Sequence, residues 1–184
     1  MSYWLKILLI LCAIWIVAAG AIFFVRSSKP TAQSIAAYIQ KHRLDSQTGS
    51  SRRKTLDHVT DMLNHITLEE RQKLREEGVT PGFFRSLTAE EQSAFLDATL
   101  PTGFRQLMES FNTMAPAKRK EFVERALTDM RNREGKEPAR NVDDKNTKKI
   151  IDQGLRSFYS ESSADVKLDF APLIEQMQKN LQGP

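Results

Sequence analysis

The sequence predicts an all-α protein: a single N-terminal transmembrane helix followed by a small soluble domain of short helices joined by capped tight turns. Residues 7–25 carry no charged or strongly polar side chain, apolar residues from position 52 onward recur at helical spacing, and no segment keeps the alternation of a half-buried strand. We therefore expect a membrane anchor with its flanks in residues 1–29. A linker that can contain a short helix follows in residues 30–51, and the helical domain occupies residues 52–184.

The apolar run has the length of a membrane span. At about 1.5 Å per residue it reaches roughly 28 Å, close to the roughly 30 Å hydrocarbon core of a bilayer. Trp4 precedes the run, and Arg26 and Lys29 follow it, as expected at the two membrane interfaces. The residues expected inside the bilayer include Ile7, Leu11, Trp15, Ala19, Phe24 and Val25.

A cleaved secretory signal is the alternative interpretation of this run. Lys6 would supply its basic region, and Ala19-Gly20-Ala21 fits a small-residue cleavage site. However, residues 22–25 continue the apolar run beyond that site, so cleavage would leave a chain that starts with four large apolar residues. An uncleaved anchor is therefore favoured. A buried helix of a soluble core is disfavoured because the run has no polar face.

Two charge patterns disagree about the orientation of this anchor. Arg26, Lys29, Lys41 and Arg43 follow the run, which by the positive-inside rule places the soluble part in the cytoplasm. A short tail with one lysine before an apolar run is also typical of a translocated C-terminal part. We expect a single-pass membrane protein with a slight preference for a cytoplasmic domain. Cys12 lies inside the run, so cysteine usage does not identify the compartment.

The net charge of +4 argues against a nucleic-acid-binding protein. Three of the 27 basic residues flank the apolar run, and the remaining ones are nearly balanced by 23 acidic residues. The soluble part therefore has no global attraction for nucleic acid, and we expect none as a partner.

The first helices are predicted from spacing and composition. We expect a helix in residues 31–43, a flexible loop in residues 44–51, and then a helix that ends near residue 66. The apolar face of this last helix contains Leu56, Val59, Met62, Leu63 and Ile66.

Capping signatures predict the next boundaries. Thr67 with Glu70 and Thr88 with Glu91 have capping-box spacing, and each pair is expected to start a helix. Gly78 is expected to end the first of these helices. Thr80-Pro81 then has the pattern of an N-cap followed by proline at the first helical position.

Prolines and charge runs divide the remaining chain. We expect a break at Leu100-Pro101, a helix over Pro116–Arg133, and a charged loop near residues 134–146. Two further helices are predicted in residues 147–159 and 164–181, the second interrupted at Pro172.

A weak internal repeat accompanies these turns. Leu63-Asn64-His65-Ile66-Thr67 resembles Phe111-Asn112-Thr113-Met114-Ala115, because in both an apolar helix ends at a short polar turn. Either the chain contains repeated helical units, or all tight helix–turn–helix links share the same capping chemistry. The unequal spacing of the caps Thr67, Thr88 and Ala115 favours the second interpretation.

One group of side chains has the spacing of a metal site. His58, Asp61 and His65 share one helix face, and two imidazoles with a carboxylate can hold zinc. This face lies opposite the apolar face of the same helix, so the three side chains are expected to point to solvent. No metal and no other cofactor is therefore expected.

The remaining charged groups are expected to serve structural roles or lipid contact. Glu69-Glu70 and Glu90-Glu91 follow capping threonines, where carboxylates complement the positive end of a helix. The stretch that starts at Lys118-Arg119-Lys120 is interleaved with acids and is expected to form a salt-bridged surface. The residues expected to contact lipid headgroups are Arg26, Lys29, Arg52, Arg53 and Lys54.

No catalytic grouping, phosphate loop or nucleotide fingerprint occurs in the sequence. The sequence therefore favours a membrane-anchored, non-catalytic helical protein that binds another protein as a scaffold or regulator. The bilayer and an unidentified protein are the expected partners. The alternatives are a membrane-associated enzyme with an unrecognised site and a secreted helical module whose signal is removed.

Overall fold

The computed structural model describes residues 30–133 and 144–182, and this part of the chain is helical throughout, without a strand. The predicted all-α class is confirmed for these residues. A single 3-10 turn, Leu44–Ser46, joins the first two helices. The α-helices are α1 (Ala32–Lys41), α2 (Gly49–His65), α3 (Leu68–Glu76), α4 (Val79–Arg85), α5 (Ala89–Thr113), α6 (Pro116–Arg133), α7 (Asp144–Glu161) and α8 (Ala164–Gln182).

The apolar run at residues 7–25 lies outside the described residues, as do Arg26, Lys29 and the charged segment 134–143. Among the helices that are described, none combines the length and the apolar character needed to cross a bilayer.

The first of two apolar cores joins α1 to α4 with the first half of α5. It is closed by side chains without exposed surface, such as Ile35, Val59 and Leu74, and by Phe83 and Phe95. Phe83 and Phe95 pack with ring centroids 5.8 Å apart. Because α1 contributes Ile35 to this core, the segment at residues 30–51 packs onto the helical domain that follows it.

The second core joins the other half of α5 with α6, α7 and α8. Phe111 and Phe170 lie at its centre with ring centroids 4.6 Å apart, and Val123, Phe158 and Val166 are buried around them. The long helix α5 thus contributes to both cores and connects the two halves of the fold.

Of the three predicted caps, Thr67 and Thr88 form and Thr80 does not, because α4 begins at Val79 with Gly78 as its N-cap. Thr88 and Glu91 form the predicted capping box, and Thr31 forms an unpredicted one with Ser34. Thr67 accepts the amide of Glu70, but the Glu70 carboxylate does not return the bond. It accepts the Ala32 amide of α1 at 2.6 Å instead, so this carboxylate joins two helices.

The predicted flexible loop at residues 44–51 is wrong for most of its length. Leu44 is buried and starts the 3-10 turn, and α2 begins at Gly49. Arg52 stabilises this turn, because its guanidinium donates to the Leu44 carbonyl at 2.9 Å.

Two predicted interruptions at prolines are also wrong, since α5 passes through Pro101 and α8 through Pro172. Proline removes one backbone donor from a helix and usually bends it. Burial of Phe95 and Phe111 in different cores holds the two ends of α5 in place, and this packing outweighs the local penalty at Pro101.

The two halves of the fold repeat the same contacts. Asn64, near the end of α2, donates from Nδ2 to the carbonyl of Ala98 at 2.9 Å. Asn112, near the end of α5, donates to the carbonyl of Glu161 at 2.9 Å. In both halves, the asparagine at the second-last position of a helix thus binds the backbone of a later helix.

An arginine in the next helix repeats in the same way. Arg71 Nε donates to Gln106 Oε1 at 2.9 Å, and Arg119 Nε donates to Asp169 Oδ2 at 2.7 Å. The donors Asn64 and Arg71 lie the same number of residues before their counterparts Asn112 and Arg119. The acceptors Ala98 and Gln106 likewise lie at one constant sequence separation from Glu161 and Asp169. These contacts favour a true repeat of two units.

The first unit is α2, α3 and α5; the second unit is the second half of α5, α6 and the α7–α8 pair, so the second half of α5 belongs to both units. Thr67 and Ala115 are equivalent in this repeat, whereas Thr88 belongs to a link without a counterpart among the described residues. That extra link produces the unequal cap spacing in the sequence. Leu100-Pro101 corresponds to Ser163-Ala164, where α7 gives way to α8.

Candidate functional site

The three candidate metal ligands do not form a metal site. The His58 ring packs against Tyr38 instead of joining Asp61 and His65, and the two ring centroids lie 4.6 Å apart. Asp61 and His65 stay on the exposed surface with their side chains 3.4 Å apart. Within residues 30–133 and 144–182, no cluster of three or more histidine, cysteine or acidic side chains is arranged to hold a metal ion.

Arg52, expected at the lipid surface, is an internal structural residue. Its Nε and NH2 each donate to the Glu91 carboxylate at 2.7 Å, and NH2 also donates to the Ser86 carbonyl at 2.9 Å. The hydrogen bonds from Arg52 lower the pKa of Glu91 from 4.5 to about 2. Arg53 and Lys54 remain exposed.

One carboxylate of each predicted pair, Glu70 and Glu91, holds helices together. Glu91 binds Arg52 and the Thr88 amide, while Glu70 binds the Ala32 amide and Lys73. The ammonium of Lys73 and then the Ala32 amide lower the pKa of Glu70. Low carboxyl pKa values keep these groups ionised at neutral pH and make them poor general acids.

An open groove lies where α3 and α6 face each other across α5. It has a volume of about 380 Å³. Its apolar lining consists of Leu68 from α3, Leu100, Phe104 and Leu107 from α5, and Phe122 from α6. Phe122 is 43 % exposed, which is unusual for a phenylalanine in a helical core.

One wall of this groove carries positive charge. Arg71 and Arg75 project from α3 beside the apolar lining. Burial lowers the pKa of Arg71 from its usual value, and its guanidinium is held by Gln106 and by Asn64. Arg75 is exposed and forms no ion pair within the described residues.

The apolar surface continues on the other side of Phe122. A second open groove of about 620 Å³ lies along α6, where Met114, Phe122 and Ala126 form its apolar part. Arg125 and Glu121 in its lining pair with each other. Lys118, at the N-terminal end, forms no ion pair among the described residues. We call the two grooves and the phenylalanine between them the Phe122 surface.

A third groove, between α5 and α7, is polar. Lys145, Lys148 and Arg156 line it together with Asp97 and Asp152. Lys149 also lies there but is already bound to Asp97 at 2.7 Å and to Ser93 at 2.8 Å. Four basic and two acidic side chains thus line this groove, and one of each is paired between Lys149 and Asp97.

Sequence reasoning did not find the Phe122 surface. Helical spacing identifies an apolar face but not whether another helix covers it. The internal repeat was the sequence feature that could have helped, because it aligns Phe122 with Leu74. Once the packing is known, the exposed fractions of these two side chains can be compared.

No protein-family model, curated protein or solved structure shows significant similarity to this chain.

Proposed function

We propose that this chain is a single-pass, membrane-anchored helical protein without catalytic activity that binds a partner protein as a scaffold or regulatory module. The observation that carries the proposal is the Phe122 surface. A large aromatic side chain stands exposed between two grooves of about 380 and 620 Å³. Exposed aromatic anchors beside apolar grooves are typical of protein-binding surfaces.

The anchor part of the proposal rests on residues 7–25. Their length and apolar character match the hydrocarbon core of a bilayer. A chain held in this way would bring its partner to a membrane, and Arg53 and Lys54 would add a weak attraction to anionic headgroups of about 1 kcal/mol each.

The polar groups of the fold support a non-catalytic role. Arg52, Glu70, Glu91 and Arg119 are all engaged in contacts between helices. None of these four side chains lines any of the three grooves.

A site-specific crosslinking experiment tests the proposal. A photoreactive amino acid replaces Phe122 in the full-length chain in its native cells, and a second variant carries it at Tyr159, which is 55 % exposed and lines none of the three grooves. We expect a membrane-fraction partner crosslinked only from position 122, which then binds the purified chain directly. Crosslinking that is equal from both positions, or a candidate that fails to bind after purification, contradicts the proposal.

The anchor has its own readout in the same cells. We expect deletion of residues 7–25 to release the chain from alkali-washed membranes, and the intact mass of the mature chain to include them. A mature chain that starts after Ala21 would instead support the secreted alternative. A reporter fused after Pro184 identifies the side on which the domain lies.

A further inference from the structure

The internal repeat shows what the Phe122 surface lacks. Phe104, Leu107 and Phe122 of the second unit occupy the positions of three buried residues of the first unit. Those three residues, Leu56, Val59 and Leu74, are 9 %, 0 % and 0 % exposed. Phe122 is 43 % exposed, and Phe104 and Leu107 are only partly buried.

Helix α1 accounts for the difference. It packs on α2 and α3 of the first unit and inserts Ile35, which is itself fully buried, into their core. Its N-terminus lies at Glu70, and its C-terminal half places Tyr38 against His58 of α2. Among the described residues, no helix takes the same place on the second unit.

The side chain that binds the start of α1 in the first unit is replaced by one of opposite charge in the second unit. In the first unit, the Glu70 carboxylate accepts the Ala32 amide of α1 at 2.6 Å. Lys118 occupies the position equivalent to Glu70, lines the groove beside Phe122 and lacks an acid partner in the described part of the chain. The Lys118 ammonium would repel the positive N-terminus of a helix placed there as α1 is placed in the first unit. An acidic residue in the first turn of that helix would instead attract the ammonium.

We propose that the Phe122 surface binds an amphipathic helix of the partner protein, and that an acidic residue in the first turn of this helix pairs with Lys118. This inference rests on the proposed function and adds the chemistry of the partner segment. The docked helix takes the place that α1 has in the first unit, with its apolar stripe on Phe104, Leu107 and Phe122. A second copy of α1 fits poorly, because its first turn contains no acidic residue.

Two matched peptides test this proposal. One has the sequence of residues 31–42, which supplies an apolar stripe suited to such a site, and the other adds Ala32→Asp and Ser34→Glu to it. Each carries a fluorescent label and is titrated against the full-length chain in lipid nanodiscs, with empty nanodiscs as the blank. We expect the acidic peptide to bind with a Kd on the order of 10–100 µM, since a short helix must also order itself. It should bind at least tenfold more tightly than the unchanged peptide.

Three variants of α6 locate the binding site. Phe122→Ser should weaken binding of the acidic peptide at least tenfold, and Lys118→Glu should reverse the preference between the two peptides. Lys120→Glu makes the same charge change on the same helix but lines neither groove, and it should leave binding unchanged. Thermal unfolding of each variant establishes that the fold is retained.

The outcomes separate the two proposals. The helix proposal is overturned if neither peptide binds at about 1 mM, if Lys118→Glu and Lys120→Glu behave alike, or if Phe122→Ser has no effect. A partner that crosslinks to position 122 and binds the purified chain would still support the proposed function in each of these cases. If the acidic peptide binds as expected but no cellular partner depends on Phe122, the proposed function fails instead.

Discussion

Three arginines join distant parts of the chain at the residue scale. Arg52 binds Glu91 and two carbonyls, Arg71 binds Gln106, and Arg119 binds both Asp169 and the Met114 carbonyl. Arg119 is only 5 % exposed, although its neighbours Lys118 and Lys120 are exposed. A planar guanidinium with five donors can satisfy a carboxylate and helix-end carbonyls together, which an ammonium does less well.

The partners of these arginines could not be predicted from the sequence. The sequence correctly located the stretches that contain Arg52 and Arg119 but treated them as surface charge. Their acceptors lie 39 and 50 residues away, so local spacing gives no sign of the pairing. Charge alone could not distinguish Arg119 from Lys118. The helix caps at Thr67 and Thr88 were predictable, because each depends on a neighbour three residues away.

The Arg52–Glu91 pair predicts a pH effect. The Glu91 pKa of about 2 lies below its ordinary 4.5, so the ionised carboxylate favours the folded state. This contribution is complete above pH 4.5 and is lost as the pH falls towards 2. We expect Glu91→Gln to lower the free energy of unfolding by about 2 kcal/mol at pH 7, between the values for exposed and buried pairs.

Urea unfolding of both proteins at pH 7, 5 and 3 measures this effect. The difference between wild type and Glu91→Gln should shrink at pH 3, because the Glu91 carboxyl is then protonated in the unfolded chain but still ionised in the fold, so unfolding takes up a proton. A difference that stays constant over this range would contradict the prediction.

Helix α5 illustrates the balance of local and tertiary forces at the element scale. The predicted break at Pro101 is wrong for α5, although the equivalent position in the second unit is the start of α8. In α5 the helix nevertheless continues, because residues on both sides of Pro101 are fixed in separate cores. Local residue preferences could not reveal this continuity.

Replacement of Pro101 should stabilise α5. Proline cannot donate to the carbonyl of Asp97, and its ring crowds the preceding turn. Pro101 is exposed, so Pro101→Ala leaves no cavity. We expect the free energy of unfolding to rise by about 1–3 kcal/mol, as measured by urea denaturation. A loss of stability would mean that the second unit needs the bend that proline imposes.

Two units that share α5 make up the part of the chain that the structure describes. Each has its own core, and α5 contributes to both. The sequence predicted the helical class and most helix ends. It could not predict the Phe122 surface, because that surface exists only where the units leave a helix face uncovered.

This organisation predicts local rather than uniform loss of stability. Leu74→Ala removes a fully buried side chain from the first core at a cost of about 2–5 kcal/mol. Val166→Ala does the same in the second core at a cost of about 2 kcal/mol. Hydrogen exchange followed by mass spectrometry should show faster exchange mainly in α1 and α3 for Leu74→Ala.

For Val166→Ala, the faster exchange should be confined mainly to α6 and α8. Equal acceleration throughout the chain in both variants would show that the fold opens as a single cooperative unit.

The position of α1 has a mechanical consequence. Any pull transmitted through the residues before Pro30 reaches the described fold first at α1. There, the Glu70–Ala32 bond and the packing of Ile35 resist it. Detachment of α1 under tension would uncover Val59 and Leu74 and create on the first unit a second apolar face like the one around Phe122. The number of open helix-binding faces would then depend on the force applied to the N-terminal end of the fold.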